Sequence, residues 1–190
     1  MRFELGHVPM ADGYGEGILP LDACKEHLRV THDEEDALIE ALRDASIEYV
    51  ERLCELKLGP VEGMTWRAER FPHGDLDLAV RPIVEITSVA WLDDSGSAVT
   101  GEVADFRVSE RGVLRPAIGG FWPLSVGGDV VVTFNAGYAE GEAPRSLLSA
   151  VKLMLGHLYM NREAVVTTGT SGEVPLGVTA LCSPFRPVVI

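Results

Sequence analysis

The spacing of apolar residues changes twice along the chain, and this change constrains the fold more than any other feature. Between residues 33 and 58, apolar side chains recur every three or four positions, as they do on one face of a helix. From about residue 63 to residue 134, they alternate with polar side chains, as in half-buried strands. Helical spacing returns after Ala143-Pro144. The pattern predicts an α+β fold, in which a small helical bundle of about three to four helices carries an inserted antiparallel β-module between its second and third long helices.

Two helices are predicted before the β-module. A short helix is expected near Pro20–Arg29, because proline suits the first helical turn and Asp22 lies near the positive helix end. Asp33 is the expected N-cap of a long second helix, which Gly59-Pro60 ends. The predicted apolar face of this helix contains Leu38, Leu42, Ala45, Tyr49, Leu53 and Leu56. The residues predicted to lie largely outside that face are Glu40, Arg43, Asp44, Glu48, Glu51 and Arg52.

The rest of the chain divides by composition and period. Alternation predicts strands at Met64–Ala68, Leu76–Val80 and Val130–Phe134, with further strands between them. A third long helix after Ala143-Pro144 has a broad apolar stripe, and Pro175–Cys182 is expected to form a short last helix. The predicted segments are a flexible N-terminal arm at 1–18, helical parts of the bundle at 19–60 and 143–183, the inserted β-module at 61–142, and an extended C-terminal tail at 184–190.

The chain is strongly acidic, with a formal net charge of −13 over 190 residues. Such a surface repels nucleic-acid phosphates, which argues against a protein that grips DNA. The three cysteines form no C-x-x-C pair and are expected to be reduced thiols. No apolar stretch resembles a signal peptide or reaches the length of a membrane span.

No residue pattern indicates catalysis. The five histidines fall in no metal-binding spacing, the serines lack a nucleophile elbow, and no phosphate-binding glycine loop is present. Asp75 and Asp77 alternate out of a predicted strand, where a solvated face is the ordinary explanation. The sequence therefore predicts a protein that is not an enzyme and that has no catalytic residue, no metal site and no cofactor.

The end of the chain is apolar and extended by its prolines. Phe185, Val188, Val189 and Ile190 are too close to the terminus to form a core of their own. Such a tail can bind another protein's groove or sheet edge. The alternative is that it packs back on its own domain.

Several segments, in order, resemble the head–tail connector (adaptor) family of long-tailed phages, prophages and gene transfer agents. The matching segments are Leu21–Val30, Asp33–Ile39, Thr65-Trp66, Arg81-Pro82, Phe134–Tyr138, His157–Glu163 and Pro175–Leu181. They extend over roughly residues 19–187. The arm at residues 1–18 has no counterpart in the family pattern.

The resemblance implies a structural role in the neck of a virion or phage-like particle, for a protein made in the bacterial cytoplasm. Family members form a homo-oligomeric ring, a dodecamer, beneath the portal protein, extend the DNA channel and dock the stopper or tail. DNA then passes without specific binding, and no membrane is involved. The portal-binding tail falls by position on Pro184, Phe185, Arg186, Pro187, Val188, Val189 and Ile190. The structural motif residues of the family fall on Asn161, Arg162, Glu163, Pro175, Leu176 and Gly177.

Two other functions stay open from the sequence. One is a different virion ring component, such as a stopper or tail terminator, although those are typically dominated by β-structure. The other is a small ligand-binding module in which the β-insert holds a small molecule or sugar.

Overall fold

The computed structural model describes residues 2–6, 8, 10–109, 112–124, 126–161 and 176–187. The chain forms two compact units. The β unit comprises Met1–Met10 and Pro60–Tyr138, and the helical unit comprises Ala11–Gly59 and Ala139–Ile190. The chain therefore crosses from one unit to the other three times. The predicted α+β class, with a β-module inserted into a helical bundle, is confirmed.

The helical unit contains five α-helices in its described part. They are α1 (Tyr14–Ile18), α2 (Leu21–Leu28), α3 (Asp36–Cys54), α4 (Arg145–Met160) and α5 (Leu176–Cys182). A short 3-10 turn, Ser183–Phe185, follows α5. The helices enclose one apolar core, whose fully buried members include Ile39, Ile47, Val50, Leu147, Val151, Leu155 and Val178.

The buried face of α3 is rotated from the one that the sequence predicts. Arg43 and Glu51, which the prediction places in solvent, are only 5% and 3% exposed, and Ala45 is exposed. The predicted N-cap is also wrong, since α3 begins at Asp36 and has no side-chain cap. Asp33 instead accepts a hydrogen bond from Lys25 Nζ at 2.6 Å, so its carboxylate is engaged with α2.

The β unit contains eight strands in its described part, all paired antiparallel. They are β1 (Phe3–Leu5), β2 (Val61–Ala68), β3 (Leu76–Asp77), β4 (Ile83–Leu92), β5 (Ala98–Gly101), β6 (Phe106–Val108), β7 (Val113–Pro116) and β8 (Gly128–Ala136). One sheet has the order β1-β2-β8-β4-β5 and the other β3-β7-β6. A second apolar core, with Trp66, Leu78, Val89, Leu114, Val132 and Phe134, belongs to this unit.

The strand predicted over Leu76–Val80 is cut short. Leu76, Leu78 and Val80 are all buried, as the alternation predicts, but only Leu76–Asp77 pairs as a strand. Ala79 has φ 56, in the left-handed region, so the backbone cannot continue as a strand through it. Leu76, Leu78 and Val80 therefore stay in the apolar core although the chain turns at Ala79.

The first eighteen residues differ from the predicted structureless arm. β1 pairs with β2, with Leu5 opposite Trp66, and the ring of Phe3 stacks on that of Trp66 at 5.8 Å between centroids. α1 follows from Gly13, whose φ of 79 favours glycine. Elements of three and five residues are too short to show a period, which is why the sequence pattern does not reveal them.

The tail also departs from the predicted extended form at its start. Pro184 and Phe185 lie in the 3-10 turn, where a proline is tolerated in the first turn, and Phe185 is half-buried against the helical core. Extended backbone begins only at Arg186. Val188, Val189 and Ile190 lie outside the described residues.

Candidate functional site

A buried carboxylate fixes α1 to the end of α3. Glu51 Oε1 accepts hydrogen bonds from the Tyr14 hydroxyl at 2.5 Å and from the Leu58 amide at 2.8 Å, and Lys57 Nζ lies 2.7 Å from Oε2. Burial and the neighbouring Glu51 carboxylate raise the pKa of Tyr14 well above its ordinary value, so its hydroxyl stays a donor. Because both carboxylate oxygens of Glu51 already accept hydrogen bonds, the arrangement holds the two helices together and does not resemble an acid–base pair.

A second buried charge joins the same two helices. Arg43 Nη1 lies 2.7 Å from Glu16 Oε2, and Arg43 Nε donates to Asp44 Oδ1 at 2.9 Å. Glu16 Oε2 also accepts the backbone amide of Leu21 at 3.1 Å, which ties the start of α2 to the same ion pair. The sequence pattern predicts Arg43 and Glu51 outside the apolar face of α3, because their partners lie 27 and 37 residues away along the chain.

The three cysteines are buried and none forms a disulfide. Burial raises the pKa of the Cys24 thiol to about 11 and, together with the neighbouring Cys182, that of the Cys54 thiol to about 12. A thiol held protonated is a poor nucleophile and a poor metal ligand. These cysteines act as small apolar core residues.

The family-motif residues that the structure describes lie at the C-terminal end of α4 and the N-terminal end of α5. Asn161 is the C-cap of α4, and its side-chain amide donates to the His157 carbonyl at 2.8 Å. Leu176 begins α5 and is 84% exposed. Gly177 lies against Leu153, whose Cδ1 would be 3.2 Å from a β-carbon at position 177. Arg162, Glu163 and Pro175 lie outside the described residues.

The acidic residues singled out as a solvated face are paired. Asp75 accepts a hydrogen bond from Arg115 Nε at 2.7 Å, and the Arg115 guanidinium lowers the pKa of that carboxyl. Asp77 accepts from Ala79 and lies 3.4 Å from Arg81. Within the described ranges, no group of three or more His, Cys, Asp or Glu side chains could hold a metal ion. Nor is any described helix long and apolar enough to cross a bilayer.

One feature that the sequence prediction missed is an exposed apolar segment between β7 and β8. We call residues 117–124 the apolar loop. Its side chains Ile118, Phe121 and Leu124 are 89%, 87% and 98% exposed. Only the composition of this segment could have revealed it. No charged residue occurs between Pro116 and Gly128, in a chain of which 24% of the residues are charged. Contiguous exposed apolar patches mark interaction surfaces or ligand-binding grooves.

Comparisons with known proteins point to the same family as the sequence motifs. Residues 19–101 match the family model described as phage gp6-like head-tail connector protein. The matched range includes α2 and α3 of the helical unit and β2 to β5 of the β unit. No match was found among curated proteins.

Solved structures share the fold over the whole chain. A chain from the neck of an empty gene transfer agent particle, computed with C6 symmetry, is 24% identical with a TM-score of 0.75. A chain from the virion of a native particle is also 24% identical, with a TM-score of 0.74. A chain from the neck of a native particle with C12 symmetry is 22% identical, with a TM-score of 0.71. Each comparison covers 100% of this chain and 97% of the other.

At these identities the structural likeness establishes the fold alone. The resemblance to head–tail connectors that the sequence motifs carry is confirmed over residues 19–101, which match the model of the phage gp6-like head-tail connector protein.

Proposed function

We propose that the chain is a structural head–tail connector in the neck of a virion or phage-like particle, where it forms a ring beneath the portal, extends the DNA channel and docks the stopper or tail. The observation that carries this proposal is the match of residues 19–101 to the head-tail connector model, together with a fold that matches neck chains from end to end. The exposed apolar loop supports an assembly protein.

The C6 and C12 symmetry of those neck structures supports a closed ring in this proposal. Subunits that close a ring contact one another head to tail, so each subunit presents two different surfaces. A dodecamer of this chain is the corresponding arrangement. Its net charge of −13 per subunit makes the ring strongly acidic, which lets DNA pass without binding because like charges repel.

In this proposal the two parts of the C-terminal segment have different roles. Pro184 and Phe185 hold the segment on the helical unit, since Phe185 packs against the core. Arg186 to Ile190 then contacts the portal. An apolar segment that begins in extended backbone is suited to insertion into a groove or addition to a sheet edge on a partner.

Removing the last four residues tests the anchor without disturbing the core. Deletion of residues 187–190 is expected to lower affinity for purified portal protein at least tenfold, because the apolar contacts are lost while Phe185 stays in place. Binding is measured by surface plasmon resonance, and the unfolding midpoint is expected to equal that of the full chain.

A length-matched variant separates apolar contact from simple truncation. The combined change Val188→Ser, Val189→Ser and Ile190→Ser is expected to weaken portal binding as the deletion does. The control is Val103→Ser, which alters an exposed valine of the β unit and is expected to bind like the unaltered chain. Full binding by the deletion variant would show that the anchor lies elsewhere.

A further inference from the structure

The apolar loop is fixed in place although its apolar side chains project into solvent. The Ala117 amide donates to the Asp105 carbonyl at 2.7 Å, and the Gly120 amide donates to the Ala117 carbonyl at 2.9 Å, which closes a turn through Gly119. Gly119 has φ 82, which a residue with a side chain rarely adopts. The first half of the loop is therefore a defined turn that presents Ile118 at its tip.

An aromatic side chain anchors the second half. Trp122 Nε1 donates to the Gly74 carbonyl at 2.9 Å, and its ring stacks on Phe71 with centroids 4.9 Å apart. Phe121 and Leu124, on either side of this anchor, are held outward. A loop that is already ordered loses less conformational entropy when it docks, so its exposed apolar area contributes more to affinity.

The surface beside the loop carries little charge. A groove of about 410 Å³ adjoins it, and its charged lining residues are Arg107, Arg115 and Asp75. Arg115 is paired with Asp75. Arg107 is exposed and donates to the Pro116 carbonyl at 3.3 Å, and its charge also helps to lower the pKa of Asp75. The patch thus offers apolar contact and an exposed guanidinium, on a protein with a net charge of −13.

We infer that the apolar loop docks on the helical unit of the next copy of this chain in the ring, an inference that rests on the proposed function. A second copy fits the chemistry of the patch. Its helical unit exposes carboxylates, among them Glu40, Glu48 and Glu55, for Arg107 to meet. It also exposes the apolar side chains of Met160 and Leu176, at 81% and 84%. Head-to-tail contact requires two unlike patches on one chain, and the loop and the acidic helical unit are such a pair.

A photo-crosslinking amino acid at position 121 identifies the occupant in assembled particles. Particles are purified from cells that make the full chain with the crosslinker in place of Phe121, and are then irradiated. The expected product contains two copies of this 20.5 kDa chain, with the crosslinked peptide mapping to residues 11–59 or 139–190. The matched control carries the crosslinker at Val84, which is 64% exposed on β4, and is expected to give at least tenfold less of this product.

The outcomes separate the inference from the function beneath it. An adduct with a different protein, no adduct in particles that contain the chain, or equal yield at positions 84 and 121 would each overturn the docking inference and leave the neck assignment standing. Absence of the chain from purified particles would instead refute the proposed function, and the inference would fall with it.

A substitution experiment provides an independent readout. The combined change Ile118→Ser, Phe121→Ser and Leu124→Ser is expected to keep the unfolding midpoint, because these side chains are at least 87% exposed, and to reduce incorporation into particles at least tenfold. Val84→Ser is expected to incorporate normally. Normal incorporation of the triple variant would show that the loop is not an interface.

Discussion

Arg43 and Glu51 on α3 are charged side chains in the core of the helical unit. Each of them is bonded to at least one side chain of the opposite charge. An intact buried pair contributes little net stability, because the attraction between the charges mostly offsets the cost of removing them from water. Loss of one partner is different, since the remaining groups stay buried without a bond. These residues thus specify how α1 packs on α3 more than they stabilise the fold.

At this scale we predict that Glu51→Ala lowers the free energy of unfolding by about 2 to 4 kcal/mol, because the Tyr14 hydroxyl and the Leu58 amide lose their acceptor. Urea unfolding followed by circular dichroism measures the change. The matched control is Glu48→Ala, an exposed position one turn earlier on the same helix, with an expected change within about 0.5 kcal/mol. If Glu51→Ala lowers the free energy of unfolding by less than about 1 kcal/mol, water must replace the Glu51 carboxylate as the hydrogen-bond acceptor.

Among the elements, α1 shows how a five-residue helix is held by its contacts rather than by its own propensity. A helix this short is unstable alone. α1 is buried against α3 through Gly15, where a β-carbon would lie 2.0 Å from Asp44 Oδ1 and 2.7 Å from Arg43 Nε. The glycine therefore allows the close approach on which the Arg43 ion pairs depend.

This geometry predicts that alanine substitution affects stability differently at two glycines of α1. Gly15→Ala is expected to lower the free energy of unfolding by about 1 to 3 kcal/mol, because Asp44 must move away from Arg43 to admit the methyl group. Gly17→Ala, in the same helix with nothing within 4 Å of the added carbon, is expected to be neutral or to stabilise by up to about 1 kcal/mol. Thermal unfolding compares them, and equal effects would contradict the proposed packing of α1.

For the whole molecule, the sequence predicts the long elements and the short helices α2 and α5, and it misses β1 and α1. The period of the apolar residues locates α3, α4, β2 and β8, because each repeats its pattern several times. It cannot locate β1 or α1, whose three to five residues are shaped by distant partners. The face of α3 is predicted incorrectly for the same reason, since a charged residue looks solvent-facing until its buried partner is known. The apolar loop has no period at all, and only its lack of charge could have revealed it.

The first residues of the chain provide a test at this scale. Deletion of residues 2–10 removes β1 and uncovers Trp66, so amide protection in β2 is expected to fall while α3 keeps its protection. Deletion of residues 2–18 also removes Tyr14 and Glu16, so protection in α3 is expected to fall as well. Hydrogen exchange with mass spectrometry measures both. Unchanged protection in both variants would mean that residues 1–18 are a dispensable arm, as their composition alone predicts.

The three crossings between the units impose an order on folding at the ribosome. The β unit can close once β8, a central strand of its larger sheet, has been made, whereas α2 and α3 must wait for Leu147, Val151 and Leu155 on α4. The interval between α3 and α4 is roughly 90 residues, or about 4 to 18 s of translation. During that time the nascent helices expose an apolar face that has no partner. Residues 11–59 carry thirteen acidic and five basic side chains. We expect this net negative charge to keep the nascent segment soluble and to repel copies on neighbouring ribosomes.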